Sequence, residues 1–166
     1  MKKILLLLII IAVIPSFLFA QKIIPIEYKG TKYEVLDMTA TGRIQWGGYT
    51  QIPANAARSE SDGASNTRAI VAAVGDNDDY EGRPYPAKIC SEATNGGKDD
   101  WYLPSKEEAD AIYAFKEKFA VEERGTIWTS TEATGTQAFT KYWYTGAFYK
   151  NAKVESHNFV CIRKVE

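Results

Sequence analysis

The N-terminal segment constrains the fold most, because it decides which part of the chain folds and in which compartment. Lys2 and Lys3 precede an unbroken apolar run over residues 4–14, and Ala20 provides the small residue that signal peptidase requires. The alternative is a membrane anchor, which needs about 20 apolar residues, whereas this run is shorter and ends at a proline. We therefore expect residues 1–20 to be a cleaved signal peptide and the protein to be exported, either periplasmic or secreted to the cell surface.

The mature chain, residues 21–166, has the length of one compact domain. The whole sequence has 20 lysines and arginines against 21 aspartates and glutamates, and it contains no run of basic residues. A chain of this composition lacks the electrostatic footprint of a nucleic-acid-binding protein. We expect a single domain with no nucleic-acid partner and no membrane contact after signal cleavage.

Cys90 and Cys161 are the only cysteines. An even number of cysteines in an exported chain predicts one disulfide, which would contribute about 4 kcal/mol because it closes a long loop. The alternatives are two buried free thiols or a metal site. A metal site is disfavoured because His157 is the only histidine and the sequence contains no C-x-x-C pair.

The N-terminal half of the mature chain contains strand signals followed by helix signals. Residues 22–37 hold two apolar runs around a Lys-Gly turn and predict a β-hairpin. A short strand is predicted over residues 43–46, and residues 50–65 lack periodicity and predict a long surface loop. Two helices are then predicted, one from 66–67 to Gly75 and one from Pro84 or Pro86 to a C-terminal cap at 95–97.

The clearest helix signal begins at Ser105. Ser105 and Glu108 have the spacing of a capping box, in which each side chain satisfies the backbone amide of the other. Apolar residues then recur every three or four positions from Ala109 to Phe119. We expect one helix with one buried face, ending before Gly125.

The rest of the chain has the composition of strands. We predict strands over residues 127–131, 139–144, 146–149 and 158–165. Apolar side chains fall on both faces of the last strand, which indicates that it lies in the interior of a sheet. Helices in the middle and strands at both ends predict an α+β domain whose terminal strands pair.

Five stretches, in this order, resemble a known family. They are W-G-G at 46–48, N-T-x-x-I-V at 66–71, G-G-K-D-D-W-Y-L-P-S-K-E-E at 96–108, I-W-T-S-T-E at 127–132 and F-V-C-I-R at 159–163. Together they resemble the C-terminal domain family of the Legionella collagen-like adhesin (Lcl). The resemblance covers nearly all of the mature chain.

This resemblance implies a C-type-lectin-like fold, of the kind shared with formylglycine-generating enzymes. Such a fold has paired terminal strands, a small twisted antiparallel sheet, two or three helices and long loops. Family members often have a cysteine before the W-x-L-P segment and another in the last strand, where Cys90 and Cys161 stand. Many members have arginine where this chain has Tyr102 and Val160, so shared ligand contacts are not implied.

Catalysis by a nucleophile needs a base beside it. The only histidine is His157, which lies near Glu155 and Ser156. The formylglycine-generating enzymes use a closely spaced pair of reactive cysteines, which this chain does not have. We therefore expect a protein that is not an enzyme, and an enzyme that depends on His157 is the alternative.

An acidic loop at residues 76–81 is the one candidate for a metal site. Its carboxylates belong to Asp76, Asp78, Asp79 and Glu81. Clustered oxygens suit Ca²⁺, but the loop lacks the spacing of an EF-hand. The Glu-Pro-Asn and Trp-Asn-Asp motifs of calcium-dependent lectins are also absent. We expect a solvated loop and no cofactor, with bound Ca²⁺ as the alternative.

Aromatic residues near the C-terminus give the best functional lead. Alternation along the predicted strand places Tyr142 and Tyr144 on one face and Trp143 on the other, so one set belongs to the core and the other is free to meet a ligand. Exposed aromatic rings stack on sugars, and nearby polar side chains bind sugar hydroxyls. The candidate ligand-binding residues are Trp143, Tyr144, Tyr149, Asn151 and His157, with Phe148, Lys150 and Lys153 nearby.

These features favour an exported, non-enzymatic module for ligand binding or adhesion. Its partner would be a glycan or a surface protein. The alternative from a different class is a structural or assembly component of a cell-surface complex, which a lone domain without repeats also fits.

Overall fold

A computed structural model describes residues 21–52, 55–76 and 84–165, so the predicted signal peptide lies outside the described residues. The described part is a mixed α+β domain with three α-helices and three small antiparallel sheets. The strands are β1 (Ile23–Tyr28), β2 (Thr31–Asp37), β3 (Ile44–Gln45), β4 (Thr126–Thr134), β5 (Gln137–Tyr142), β6 (Phe148–Ala152), β7 (Ser156–His157) and β8 (Val160–Val165). The helices are α1 (Gly63–Val74), α2 (Pro86–Glu92) and α3 (Lys106–Tyr113). None of the described helices is long and apolar enough to cross a membrane.

The N-terminal hairpin and the C-terminal strand share one sheet. β1 and β2 form the predicted hairpin, with Tyr28 opposite Thr31 at its turn. β8 pairs antiparallel with β2, and Val35 lies opposite Ile162. The strand order β1-β2-β8 therefore joins the two ends of the described chain through β2.

Both faces of the segment that leads into β8 are buried, as the sequence predicted. Phe159 and Cys161 pack into a core cluster that includes Trp128. Val160 and Ile162 pack into a second cluster on the opposite side. Burial on both faces explains why this strand is apolar at consecutive positions rather than alternating.

Two further links hold β8 in place. Its free edge pairs with the backbone of Tyr102, whose amide donates to the Ile162 carbonyl at 2.9 Å and whose carbonyl accepts from the Ile162 amide at 2.8 Å. The predicted disulfide is present and joins Cys90 of α2 to Cys161 of β8 across 71 residues of sequence. The motif segment before α3 and the helix α2 are thus both fixed to the last strand.

The capping box predicts the start of α3 correctly but not its length. The Ser105 side chain accepts from the Glu108 amide, and the Glu108 side chain accepts from the Ser105 amide. The helix ends at Tyr113, well before the predicted limit at Gly125. A separate 3₁₀ turn follows, and Phe119 packs edge-on against the indole of Trp143 at 6.1 Å between ring centroids. Tertiary packing therefore overrides the apolar periodicity after the second turn of the helix.

Two other helix boundaries differ from the predictions. α1 begins at Gly63, inside the predicted loop, because Asp62 caps it by accepting from the Ser65 amide at 2.8 Å. α2 ends at Glu92, so residues 95–97 form a 3₁₀ turn of their own rather than its C-terminal cap. The first difference arises from side-chain capping that periodicity does not encode, and the second from the extended backbone of Ala93, which ends α2.

The C-terminal strands are shifted relative to the predictions. β4 continues past residue 131 to Thr134, with two shifts in its pairing to β5. β5 ends at Tyr142 rather than at residue 144, and β6 begins at Phe148. The turn between them therefore holds Trp143 to Ala147, which changes the direction in which its aromatic side chains point.

Candidate ligand-binding face

Three tyrosines lie side by side on one face of the β4–β5–β6 sheet and its turn. Tyr149 pairs with Thr140, so it shares a face with Tyr142, two residues further along β5. The ring of Tyr142 is 5.6 Å from that of Tyr149 and 6.3 Å from that of Tyr144, centroid to centroid. Tyr142 therefore lies between the other two. We call Tyr142, Tyr144 and Tyr149 the tyrosine face.

The outer two rings of the tyrosine face are open to solvent. Tyr144 is 55% exposed and Tyr149 is 50% exposed, while Tyr142 is only partly buried. Adjacent half-exposed rings are more informative than scattered apolar residues, which occur on any protein surface. The arrangement gives a continuous aromatic surface of mutually tilted rings, with a hydroxyl on each ring.

A hydrogen-bonded polar group adjoins the tyrosine face. Thr140 donates its hydroxyl to the Asn151 side-chain oxygen at 2.7 Å, and the Asn151 amide donates to Glu155 Oε2 at 2.8 Å. This bond is the main reason that the pKa of Glu155 is lowered. We call Asn151 and Glu155 the polar end, because Asn151 follows Tyr149 by two residues on the same face of β6.

His157 supports the polar end from beneath. Its Nε2 is 3.3 Å from Glu155 Oε2, and its Nδ1 contacts the hydroxyl of Thr126. The tautomer that satisfies both contacts has the Thr126 hydroxyl donating to Nδ1 and Nε2–H donating to Glu155. The imidazole also packs edge-on against Trp128 at 4.5 Å. Burial lowers the pKa of His157, which keeps the ring neutral.

Carboxylate, imidazole and hydroxyl thus stand in a row, in the order found in nucleophilic triads. A triad acts on a substrate held in a cavity next to the nucleophile. Within residues 21–52, 55–76 and 84–165, the structure has three surface clefts that are lined by none of these three side chains. The contacts of His157 are those of a residue that positions the Glu155 carboxylate.

The opposite face of the same hairpin is covered by lysines. The ammonium of Lys141 lies 4.1 Å from the ring centroid of Phe148, and that of Lys106 lies 4.5 Å from Phe139. Lys150, which the sequence placed beside the exposed aromatics, lies on this face at 5.8 Å from Phe139. The phenylalanine rings are therefore capped by cations, whereas the tyrosine rings are not.

Trp143 does not belong to the candidate face. It is 4% exposed and lies between Tyr113 and Phe119, with ring centroids 5.9 and 6.1 Å away. The turn after Tyr142 directs the indole into the core under α3. Trp143 is therefore not one of the candidate ligand-binding residues, because its indole packs against Tyr113 and Phe119, away from the tyrosine face.

Lys153 was expected near the aromatic surface but is fully buried. Its ammonium donates to Glu132 Oε1 at 2.6 Å and to the Gly48 carbonyl at 3.1 Å. It also lies 4.5 Å from the ring centroid of Trp46. Burial lowers the pKa of this ammonium, and the Glu132 carboxylate opposes that shift. Lys153 therefore serves the fold, by joining β4 to the W-G-G turn.

The other motif residues also satisfy buried polar groups. Glu108 accepts from the Gly63 amide at 3.1 Å, from the Ser105 amide at 2.9 Å and from the Tyr102 hydroxyl at 2.8 Å. On β4, the Thr131 hydroxyl donates to the Ser59 carbonyl at 2.9 Å. The motif residues therefore stabilise the interior, because buried polar groups need hydrogen-bond partners.

A charged cleft of about 880 Å³ lies beside β8 and the segment before α3. Within it Arg163 donates to Asp100 at 2.6 Å and to Glu34 at 2.8 Å. The guanidinium holds the pKa of the Asp100 carboxyl below its usual range. Lys98 and Lys164 also line this cleft. No sequence pattern predicts this cleft, because its charges come from segments distant in sequence.

The candidate calcium loop is described only at its first residue. Asp76 forms an ion pair with Lys88 at 3.0 Å, and Asp78, Asp79 and Glu81 lie outside the described residues. Among the residues that the structure describes, no three His, Cys, Asp or Glu side chains are grouped as metal ligands.

The structure brings four of the five predicted site residues together. They are Tyr144, Tyr149, Asn151 and His157. Sequence reasoning missed Thr140 and Glu155, which fix Asn151 from both sides. The period of two along β5 was the available signal for Thr140, since it places that residue on the same face as Tyr142.

A scan against protein-family models matched no family to this chain, and a search of the curated proteins found no relative. The function proposed below therefore rests on the geometry of the tyrosine face and its polar end.

Proposed function

We propose that this protein is an exported, non-enzymatic module that binds glycans through the tyrosine face. One observation carries the proposal: three adjacent tyrosine rings lie on one sheet face, and the outer two are half exposed. Pyranose rings present apolar C–H faces that stack on such rings. Sites of this kind combine an apolar platform with a few fixed polar groups.

The polar end supplies the fixed groups. Asn151 is held by Thr140 on one side and by Glu155 on the other, so its orientation is set before a ligand arrives. The Glu155 side chain is 50% exposed and presents a carboxylate that accepts hydroxyl donors. A preformed site of this kind loses little entropy when a sugar binds.

We also propose a C-type-lectin-like fold within the α+β class. Three features support it: the N-terminal hairpin pairs with the last strand, a disulfide ties α2 to that strand, and helices flank small antiparallel sheets. The resemblance to the Lcl C-terminal domain family points the same way. A disulfide is stable in an oxidising compartment, which supports export.

A glycan array probed with residues 21–166 tests the proposed function. We expect discrete glycan binding, and we expect Tyr144→Ala and Tyr149→Ala each to lower the affinity about tenfold, as loss of a central aromatic contact does. Tyr49→Ala is the matched control, because Tyr49 is 43% exposed and lies outside the tyrosine face. Binding that survives both face variants contradicts the assignment of the site.

The assembly alternative makes a different prediction for the same protein. A structural component would give no glycan signal and would co-purify with one defined partner from the cell surface. An enzyme that depends on His157 would show turnover that His157→Gln abolishes. Either result would contradict the proposal, since a glycan-binding module requires neither a defined protein partner nor turnover.

A further inference from the structure

We infer that the tyrosine face takes an unbranched, uncharged oligosaccharide and contacts three consecutive sugar units. This inference rests on the proposed function and adds the class of glycan, its minimum length and its charge. It follows from the arrangement of the rings, from the hydrogen-bonding character of the polar end and from the position of the lysines.

The rings form a row rather than a cluster. Tyr142 of β5 lies 6.3 Å from Tyr144, in the turn after β5, and 5.6 Å from Tyr149 on the neighbouring strand β6, centroid to centroid. A pyranose ring is about as large as a phenol ring, so each tyrosine matches one sugar unit. A single sugar covers one ring only, and a branched glycan cannot lie along a narrow row.

The ring planes also turn along the row. The planes of Tyr142 and Tyr144 differ by 60°, and those of Tyr142 and Tyr149 differ by 65°. Stacking on successive rings therefore requires sugar units that rotate relative to one another. A chain with that freedom at its linkages fits the row better than a flat, ribbon-like chain.

The polar end accepts hydrogen bonds more than it donates them. One amide hydrogen of Asn151 is committed to Glu155, and the Thr140 hydroxyl is committed to Asn151. The groups left for a ligand are the carboxylate of Glu155, which only accepts, and the carbonyl oxygen and second amide hydrogen of Asn151. Such a site needs a donor-rich ligand, which a polyol is.

This acceptor character disfavours the other common ligand of exposed tyrosine rows. Proline-rich peptides in the polyproline II conformation dock on aromatic-lined grooves. Their proline residues have no N–H, so they offer carbonyl acceptors and few donors. Such a peptide would offer the carboxylate of Glu155 no hydrogen-bond donor.

The charge distribution excludes acidic sugars from the face. The two lysines of the hairpin, Lys141 and Lys150, lie on the opposite face over Phe148 and Phe139. The charged group hydrogen-bonded to Asn151 is the carboxylate of Glu155, whose pKa is lowered by that bond, so it stays ionised at neutral pH. The Arg43 cation, which lies near His157, is paired with Glu122 at 2.6 Å. A uronic acid or sulfated sugar placed here would meet a like charge.

The test measures affinity against chain length. The probes are β-1,3-linked and β-1,4-linked glucose oligomers of one to six units, an oligogalacturonate series of the same lengths, and a decaproline peptide. We expect affinity for the β-1,3 series to rise about tenfold per unit up to three units and then to level off. We expect weaker gains in the β-1,4 series, and no measurable binding of the galacturonates or the peptide.

Variants of the tyrosine face show which ring each sugar unit contacts. In Tyr144→Ala the affinity should stop rising one sugar unit earlier, because one end of the row is lost. Tyr49→Ala should leave the dependence of affinity on chain length unchanged. Glu155→Gln should reduce the difference in affinity between neutral and acidic oligomers, since the negative charge that repels the acidic ones is gone. Circular dichroism and a thermal unfolding curve for each variant establish that the fold is intact.

The outcomes separate this inference from the proposed function. No binding to any glycan on the array overturns the proposed function itself. Array binding together with a flat length dependence, tighter binding of galacturonates, binding of the peptide or no binding of either glucose series overturns the inference and leaves glycan binding standing.

Discussion

β4 and β6 flank the same central strand, yet the described structure uses them in opposite ways. Every residue of β4 from Ile127 to Glu132 is buried, whereas Tyr149 and Lys150 of β6 are exposed. β4 carries the I-W-T-S-T-E motif, and β6 carries none of the motifs. The strand that carries the motif thus forms part of the interior, and the strand without a motif forms part of the candidate site. Substitutions around β4 should therefore affect stability, and substitutions around β6 should affect binding.

The largest effect on stability is expected at the buried ion pair of β4. Within the described residues, Lys153→Met leaves the Glu132 carboxylate, 1% exposed, with Arg58 at 3.6 Å as its ion-pair partner. Removing one partner of a buried pair costs about 4 kcal/mol, because the remaining charge stays desolvated. Urea unfolding of wild type and variant at pH 7 measures the difference.

The control replaces both partners. In the double variant Lys153→Met with Glu132→Leu no buried charge remains, so most of the lost stability should return. If Lys153→Met alone lowers the free energy of unfolding by less than about 1 kcal/mol, the ion pair is not buried in solution. The difference in burial between β4 and β6 would then be smaller than the structure indicates.

Which of these features the sequence could predict depends on how local their causes are. The hairpin of β1 and β2, the start of α3 and the two-sided burial of β8 follow from spacing over a few residues. The disulfide followed from an even cysteine count in an exported chain. The hairpin, the start of α3 and the burial of β8 were predicted correctly because neighbouring residues determine them, and the disulfide because two cysteines allow one pairing.

The candidate site was only half predictable. The period of two separates Trp143 from Tyr144, but it does not say which of them faces the core, because that depends on where α3 packs. Lys153 was expected on the surface because lysine is rarely buried. Its partner Glu132 is 21 residues away in sequence, so only the folded chain brings the two charges together.

A smaller loss is expected for a single hydroxyl on β4. Thr131→Val keeps the shape of the side chain but removes the bond to the Ser59 carbonyl and the acceptor for the Lys106 amide. We expect a loss of about 2 kcal/mol in urea unfolding, since a partly buried amide at the start of α3 loses its acceptor and the Ser59 carbonyl loses its donor. Thr41→Val is the matched control on an exposed residue and should stay within about 0.5 kcal/mol. Equal effects of the two variants would mean that the β4 hydroxyl is hydrated.

The β5–β6 turn is the one place where we expect a single change to affect both stability and binding. Gly146 has a φ of +75°, and a Cβ there would lie 2.5 Å from Cε1 of Tyr113. Tyr113 in turn donates to the Tyr144 carbonyl at 3.3 Å. Gly146→Ala should cost about 1 kcal/mol and also weaken glycan binding, because the turn that carries Tyr144 must shift.

Gly30→Ala provides the control for this prediction. Gly30 also has a positive φ, +80°, but no atom lies within 4 Å of its added Cβ. The difference between the two variants therefore isolates the clash with Tyr113 from the backbone strain they share. Gly146→Ala with unchanged glycan affinity would show that the position of Tyr144 does not depend on the core.

The smallest effect is expected from His157, which lies between the two regions. It packs on Trp128 of β4 and holds Glu155 of the polar end. Burial lowers the pKa of His157 in the folded protein, so the unfolded chain binds the proton more readily. The free energy of unfolding should therefore fall as the pH drops through the unfolded value near 6.5. Protonation puts a second cation near Arg43, which adds to the cost.

His157→Gln tests this directly, because glutamine keeps a hydrogen-bond donor for Glu155 but does not titrate. The difference in unfolding free energy between wild type and variant, measured from pH 5 to pH 8, should grow in favour of the variant as the pH falls. The carboxylates other than Glu155, whose pKa His157 helps to lower, contribute equally to both proteins and cancel in this difference. A difference that is flat with pH would mean that His157 is solvated, and the polar end would then be independent of β4. Glycan affinity measured over the same pH range should fall in wild type only, since a protonated His157 disturbs the carboxylate that it otherwise positions.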